Sequence, residues 1–391
     1  MKSRTTSLLA AALLLGGIQT ALAADIGTNA GIDVNNEATV NYSVNSISQT
    51  AQTGSTTFKV DRKVDVVVSS ATVLDATPGE TGKLLLFTVT NKTNDTLDFN
   101  LTPVTGGDVT ATGLTIYIDD AGAGTLGVLD AAEALSPVTS LDDVAEDETV
   151  NLIVVADIPG TATDSQTALV HLRADALDQT GTPLSNDNAV ANTVGLENVF
   201  ADVQGSATAT DIANDAKHSA VATLNVKSAT INVSKSVSVV CETNDGTHAV
   251  DGDGVASGVT CGTNISTGGT ANLKAIPGAT LQYCIQVANN GSDDATGISI
   301  SDPLAYNVTT NPNNNVSDYV YWVQDSIKVG VDCDYNAGTS TAVDDDTVDE
   351  TGDEAGTYGS YNPTTKTVNA ASNATLSNGD TATVMFRVLV K

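Results

Sequence analysis

The sequence predicts an all-β chain: two antiparallel β-sandwich domains in tandem. Three observations predict it. Apolar residues recur with a period of two rather than 3.6 almost throughout, as in "TLQYCIQVANN", which sets Leu281, Tyr283, Ile285 and Val287 on one face and Gln282, Cys284 and Gln286 on the other. Short alternating runs are divided by Gly, Asn and Asp turns at intervals of about ten residues, the spacing of sandwiches. Two parts of the chain also repeat one order of signals, with "TPGETGKLLLFTVTN" matching "IPGATLQYCIQVANN".

Taken in chain order, residues 1–23 form the first unit. Lys2 and Arg4 precede an apolar run from Leu8 to Ile18, and Ala21-Leu22-Ala23 supplies the small residues of a cleavage site. This is the pattern of a secretory signal peptide, too short for a permanent span, and cleavage is expected before Ala24. Residues 24–60 alternate like strands but bring little core of their own. They are expected either to supply the first strands of the first domain or to act as a donor strand on a neighbouring subunit, with Val40, Tyr42 and Val44 setting the register. Residues 61–228 form the first sandwich, with a polar insertion near 176–218, and residues 229–391 the second. The boundary falls just before the Val-rich strand that starts at Ile231. In both domains a Pro-Gly pair pre-sets a tight turn, because Pro fixes φ and Gly accepts positive φ. Helical candidates are confined to "DAAEALS" at 130–136 and "TDIANDAKHS" at 210–219. The final "TATVMFRVLVK" aligns Val384, Phe386 and Val388 as a last strand. No second apolar stretch reaches membrane-spanning length, so no membrane insertion is expected, and retention at a surface would need a partner or self-association.

The phrases "IPGATLQYCIQVANNGSDDATGISISDP" and "SYNPTTKTVNAASNATLSNGDTATVMFRVLV" resemble the conserved-repeat domain of bacterial and archaeal secreted cell-surface proteins, a family of undefined function. The likeness covers most of 229–391. Upstream, "ATVNYSV", "VDRKVDVVV" and "NLIVVADIPGTATDSQTALVHLRA" are similar to the region that precedes such a domain. The resemblance implies immunoglobulin-like sandwiches and an extracellular or cell-surface location. This chain departs from the family pattern in carrying one clear copy rather than a long array.

With 47 acidic and 16 basic residues, the chain has a net charge of −31, and removing Lys2 and Arg4 takes it to 14 − 47 = −33. Such a field repels nucleic acid and favours solubility and cation binding. Disorder is excluded as the main state by the 41% hydrophobic content and the repeated Val, Ile and Thr runs.

The four cysteines allow three pairings, and the even number in an exported chain points to disulfides. The favoured pairs are Cys241–Cys261, closing an acidic excursion, and Cys284–Cys333, tying neighbouring strands; the wide spacings disfavour zinc. Three acidic clusters invite calcium, which needs six to eight oxygens. They are Asp119 to Glu133, Asp251 to Gly254, and Asp332 to Glu354; Asp119, Asp120 and Asp130 are the best candidate Ca2+ ligands. The alternative for all three is a solvated acidic loop.

The chain is not expected to be an enzyme. Its three histidines, His171, His218 and His248, stand in no catalytic motif. Trp322, with Tyr319 and Tyr321, is a candidate sugar platform, but its alternation with Val320 and Val323 favours a core position. The function expected is that of an exported structural protein of the cell envelope or extracellular matrix, associating with itself or with another surface protein. The alternative is a calcium-assisted adhesin that binds a surface glycan or protein through its loops.

Overall fold

The computed structural model describes residues 27–120, 122, 124–206, 209–262, 264–265, 272–304, 319–330, 332–334, 341–342, 357–372 and 375–391. The expected signal peptide therefore lies outside the described residues. Within them the chain is all-β.

The N-terminal segment makes a ribbon that, among the described residues, pairs only with itself. Strands β1 (Asp33–Val40) and β4 (Gln52–Lys59) run antiparallel, and between them β2 (Ser43–Val44) and β3 (Ile47–Ser48) close a tight tip. Asn45 and Ser46 take positive φ at that tip, as a two-residue hairpin turn requires. Only the root is anchored, through Ala30 N to Asn94 O (2.9 Å) and Asn94 Nδ2 to Thr28 O (2.9 Å).

The first sandwich follows. Its strands are β5 (Arg62–Val64), β6 (Val66–Ser69), β7 (Val73–Ala76), β8 (Lys83–Asn91), β9 (Leu97–Gly107), β10 (Thr112–Ile118), β11 (Ser140–Val144), β12 (Thr149–Asp157), β13 (Thr167–Leu177), β14 (Asn198–Phe200) and β15 (Lys217–Val226). One sheet has the order β10-β12-β8-β6 and the facing sheet β11-β9-β13-β15-β7, while β5 and β14 pair in parallel beside them. The inward positions, among them Val66, Val68, Leu85, Phe87, Val89, Leu172 and Leu224, form one core cluster. Alternation along each strand puts these residues on a single face, and closing the two faces together removes them from water.

The second sandwich contains β16 (Ile231–Cys241), β17 (Ala249–Val250), β18 (Val255–Ser257), β19 (Thr280–Asn289), β20 (Ile298–Pro303), β21 (Val320–Val323), β22 (Lys328–Gly330), β23 (Thr341–Ala342), β24 (Thr357–Asn362), β25 (Thr367–Ser372) and β26 (Thr381–Val390). The larger sheet runs β16-β19-β26-β21-β18-β17, with β22 on β26 and β23 on β22; among the described residues the facing sheet is β20-β25-β24. Trp322 is buried in this core and stacks on Tyr361, centroids 4.5 Å apart and planes 16° from parallel. It is a core residue, not a sugar platform. Both favoured disulfides are present: Cys241–Cys261 and Cys284–Cys333, each with Cα atoms 5.8 Å apart.

Neither helical expectation survives. Segment 130–136 makes a single 3-10 turn at Glu133–Leu135, and 210–219 is turn followed by the start of β15. Both are too short to repay helix nucleation. Carboxylates also capture the backbone in other shapes: Asp202 accepts from Asp215 N (3.1 Å) and Ala216 N (2.9 Å).

The internal repeat holds at the level of single hydrogen bonds. Asn91 at the end of β8 is fully buried; its Nδ2 donates to Asp95 O (2.8 Å) and Val144 O (2.9 Å), and its Oδ1 accepts from Thr93 N (3.0 Å). Asn289 at the end of β19 does the same with Asp293 O (2.7 Å), Leu376 O (2.8 Å) and Gly291 N (3.0 Å). The Pro-Gly turns also correspond, with Gly79 (φ +80°) donating to Ile158 O and Gly278 (φ +87°) to Val390 O. These pairings equate β6 with β16, β8 with β19, β9 with β20, β11 with β25 and β12 with β26.

Candidate functional site

The loop after β10 carries Asp119, Asp120 and Asp130. Asp120 Oδ1 accepts from Gly122 N (2.9 Å), Asp119 Oδ2 from Gly127 N (2.8 Å), and Asp130 Oδ1 from Ala132 N (2.9 Å) and Glu133 N (3.2 Å). Glu133, which the sequence did not single out as a ligand, ties the loop together. Its Oε1 accepts from Asp120 N (2.8 Å) and its Oε2 from Asp130 N (3.1 Å). Two oxygens remain buried without a hydrogen-bond partner: Asp119 Oδ1 and Asp130 Oδ2. A buried carboxylate oxygen left unpaired is costly unless a cation or proton reaches it. The three aspartates thus share one loop, yet among the described residues no three His, Cys, Asp or Glu side chains are grouped to hold a metal ion. An open groove of about 430 Å³ lies alongside, lined by Ser69, Ser70, Leu86, Asp119, Leu126 and Asn151 among others.

The second acidic cluster is a turn that uses its own charge: Asp251 Oδ1 accepts from Asp253 N (3.0 Å) and Val255 N (2.8 Å). Most of the third, Asp332 to Glu354, lies outside the described residues.

The histidines serve three different structural ends. His171, on β13, is buried and shares a 2.6 Å hydrogen bond between Nδ1 and Ser206 Oγ, while its Nε2 is buried without a partner. Burial holds its pKa below the ordinary histidine value. A nearby carboxylate, Asp211, bonds Ser219 Oγ and Gly205 N instead, and among the described residues no acid is hydrogen-bonded to His171 Nε2 as a catalytic triad would need. His218 Nδ1 accepts from Val68 N (3.0 Å), joining β15 to β6 across the sandwich. His248 Nδ1 pairs with Asn244 Oδ1 (3.0 Å).

Where the two sandwiches meet, Asp164 accepts from Ser228 N (2.9 Å) and from the Ser292 hydroxyl. The Ser292 and Ser228 hydrogen bonds hold its pKa down at about 2.

Two further surfaces are exposed and apolar. On the ribbon, Val34–Phe58, Asn36–Thr56, Ala38–Gly54 and Val40–Gln52 share one face, apolar at its two ends and polar between; Asp33–Lys59, Asn35–Thr57, Glu37–Ser55 and Thr39–Thr53 occupy the other. Asp33 and Lys59 form an ion pair at 2.7 Å. The anticipated assembly residues Val40, Tyr42 and Val44 are all exposed, as are Ile47 and Phe58. On β16, Val233 and Val237 share a face with Val287 and Tyr283 of β19, the core side of the sheet, yet they are 65% and 54% exposed. Lys235 lies between them, its Nζ 4.9 Å above the Tyr283 ring and 2.6 Å from Asp302 on β20. The alternation of "INVSKSVSVVC" signals the apolar row, but nothing local signals that it stays uncovered.

No family model matches the chain, and no curated protein matches it either. Among solved structures, one named BspA_C_WT aligns with 82% of this chain and 86% of its own, at 11% identity and a TM-score of 0.28. A chaperone–tip adhesin complex of CFA/I fimbriae aligns with 84% of this chain and 94% of its own, at 7% identity and a TM-score of 0.19. The collagen adhesin CNA from S. aureus aligns with 84% and 81%, at 10% identity and a TM-score of 0.18. At these scores the likenesses carry no argument about activity, and the chain's function is argued from its own surfaces.

Proposed function

We propose that the chain is an exported, non-catalytic structural subunit of the cell envelope or extracellular matrix, and that it works by associating with copies of itself. The observation that carries this reading is the β1–β4 ribbon, a two-stranded sheet that exposes Val40 and Phe58 and, among the described residues, pairs with no other strand. An isolated two-stranded ribbon is marginal in water and gains stability by packing its apolar face on something else. The two disulfides fit an oxidising compartment outside the cytosol. Light scattering on the signal-free chain, disulfides intact and in millimolar calcium, tests the reading. A series of polymers is expected; a stable monomer at every concentration overturns it and turns the search to a receptor.

A second reading, a calcium-assisted adhesin, is favoured by one specific observation: the unpartnered buried oxygens of Asp119 and Asp130 on one loop. Calcium accepts carboxylate and backbone carbonyl oxygens together, so a loop that ties itself with Glu133 and leaves two anionic oxygens free has the right donor chemistry. Thermal melting in calcium and in chelator, for the native chain and for Asp119→Asn with Asp130→Asn, decides it. A calcium-dependent rise that the double variant loses is expected on this reading; an unchanged melt in chelator refutes it. Binding to surface glycans that disappears in chelator would extend the reading to adhesion.

A further inference from the structure

Among the described residues, the second sandwich repeats the frame of the first without a counterpart for two of its strands. In the first, β9 pairs with β11 on one side and with β13 on the other, and β13 continues to β15. In the second, β20 pairs with β25, the counterpart of β11, and among the described residues nothing pairs with its other side. The consequence appears on the facing sheet. Strand β15 packs across β6, where Val66 and Val68 are 0% and 3% exposed. At the equivalent positions of β16, which follow from Val66↔Asn91 and Ile231↔Asn289, Ile231 and Val233 are 42% and 65% exposed. A slot therefore runs between β16 and β20, floored by Val233, Val237 and Tyr283 and bridged by the Lys235–Asp302 ion pair.

We propose that this slot in one copy receives the β1–β4 ribbon of another copy, in the place that β13 and β15 hold in the first sandwich. The inference rests on the self-assembly reading and names the surfaces that carry it. Three features of the chain select the ribbon. The element without a counterpart among the described residues is an antiparallel pair, and the ribbon is an antiparallel pair. Its face offers Val34, Ala38, Val40 and Phe58 as apolar cover over Val233 and Val237, with Asn36 and Thr56 on the same face, while Asp33, Lys59, Asn35 and Thr57 stay in water. Charge selects it as well. On a chain of net −31 most surfaces of two copies repel, whereas residues 33–59 hold only Asp33, Glu37 and Lys59, and β16 holds only Lys235. The edge of β20 that has no partner among the described residues supplies backbone hydrogen bonds to the incoming strand, which is β-strand addition between subunits. Because ribbon and slot are different surfaces of one chain, the contact is head-to-tail and does not close on itself, so it propagates into filaments.

The test uses the signal-free chain with both disulfides intact and two variants. One carries Val233→Asp and Val237→Asp in the slot, the other Val40→Asp and Phe58→Asp in the ribbon. Each alone is expected to weaken association more than about tenfold and to sediment as monomer, since a charge in a buried interface removes hot-spot contacts. Mixed together they are expected to give 1:1 dimers and nothing longer, because only one intact ribbon meets one intact slot. Native polymers that survive both pairs of substitutions overturn this inference and leave self-assembly standing. A native chain that never polymerises overturns both. Should a variant fold poorly, a photo-crosslinking residue at Phe58 in the otherwise native chain gives the answer: crosslinks to residues 231–239 or 298–303 of another copy are expected, and crosslinks elsewhere refute the assignment.

Discussion

Strands β6 and β16 occupy the same place in two copies of one frame, yet one is core and the other surface. Each is the edge strand beside the long strand that ends in a buried asparagine, Asn91 or Asn289, and each sends alternate valines inward. The difference between them is made on the opposite sheet, which among the described residues has five strands in the first sandwich and three in the second. Inward pointing is thus a property of a strand, whereas burial is a property of the pair of sheets. A face that points inward and is not covered is an unfinished core, which is why β16 attracts attention as a contact surface.

The sharpest way to break this comparison is to place a charge at the two equivalent positions. Val68→Asp buries an unpaired carboxylate and is expected to cost more than about 4 kcal/mol, enough to unfold the first sandwich. Val233→Asp in the monomer is expected to stay within about 0.5 kcal/mol, as exposed substitutions do. Denaturant unfolding under conditions that keep the chain monomeric reads both; equal losses would mean that β16 is covered after all.

Next in size are the disulfides, which belong to the second sandwich alone. Replacing Cys284 and Cys333 by Ser opens a loop of 49 residues, and replacing Cys241 and Cys261 opens one of 20. The chain-entropy estimate gives losses of about 4 and about 3 kcal/mol, with the first sandwich's transition unmoved. A reduced chain whose two transitions shift together would show that the sandwiches unfold as one unit.

The shared frame is sharpened by Asn91→Ala and Asn289→Ala. Each strands a set of buried backbone groups and is expected to cost about 2 to 3 kcal/mol in its own sandwich, with the two losses nearly equal. A large inequality would show that the matching hydrogen bonds do not carry matching weight.

The smallest expected effect is of pH, and it separates the two regions again. Burial lowers the pKa of His171 in the folded first sandwich, so the unfolded chain binds more protons as pH falls through about 6.5. Stability of the first sandwich is therefore present above that value and declines below it. Asp202 acts in the opposite sense at lower pH, since desolvation raises its pKa and protonation favours the folded state. His171→Gln is expected to flatten the decline, measured as melting temperature between pH 7 and the carboxylate range; a slope unchanged in the variant would assign it to other groups.

Much of this was legible in the chain itself. The alternation in "TLQYCIQVANN" named the inward face of β19, and the Pro-Gly turns and terminal asparagines marked the repeat. Cysteine number and position led to the observed pairs. The loop at Asp119, Asp120 and Asp130 was also visible as an acidic turn, but not the part played by Glu133, because a carboxylate that ties backbone amides looks in sequence like any other surface acid. The short segments at 130–136 and 210–219 read as helix from composition, and lost that form to side-chain capping of turns.

By itself, then, the sequence determined the strand periodicity, the two-fold repeat and the acidic, disulfide-bearing character, because these depend on residue type and near neighbours. That the N-terminal ribbon pairs only with itself among the described residues, and that Val233 faces the same way as Val68 without the same cover, came from the tertiary arrangement. Cover depends on which distant strands stand opposite, and no local pattern in "INVSKSVSVVC" records what lies across the sandwich.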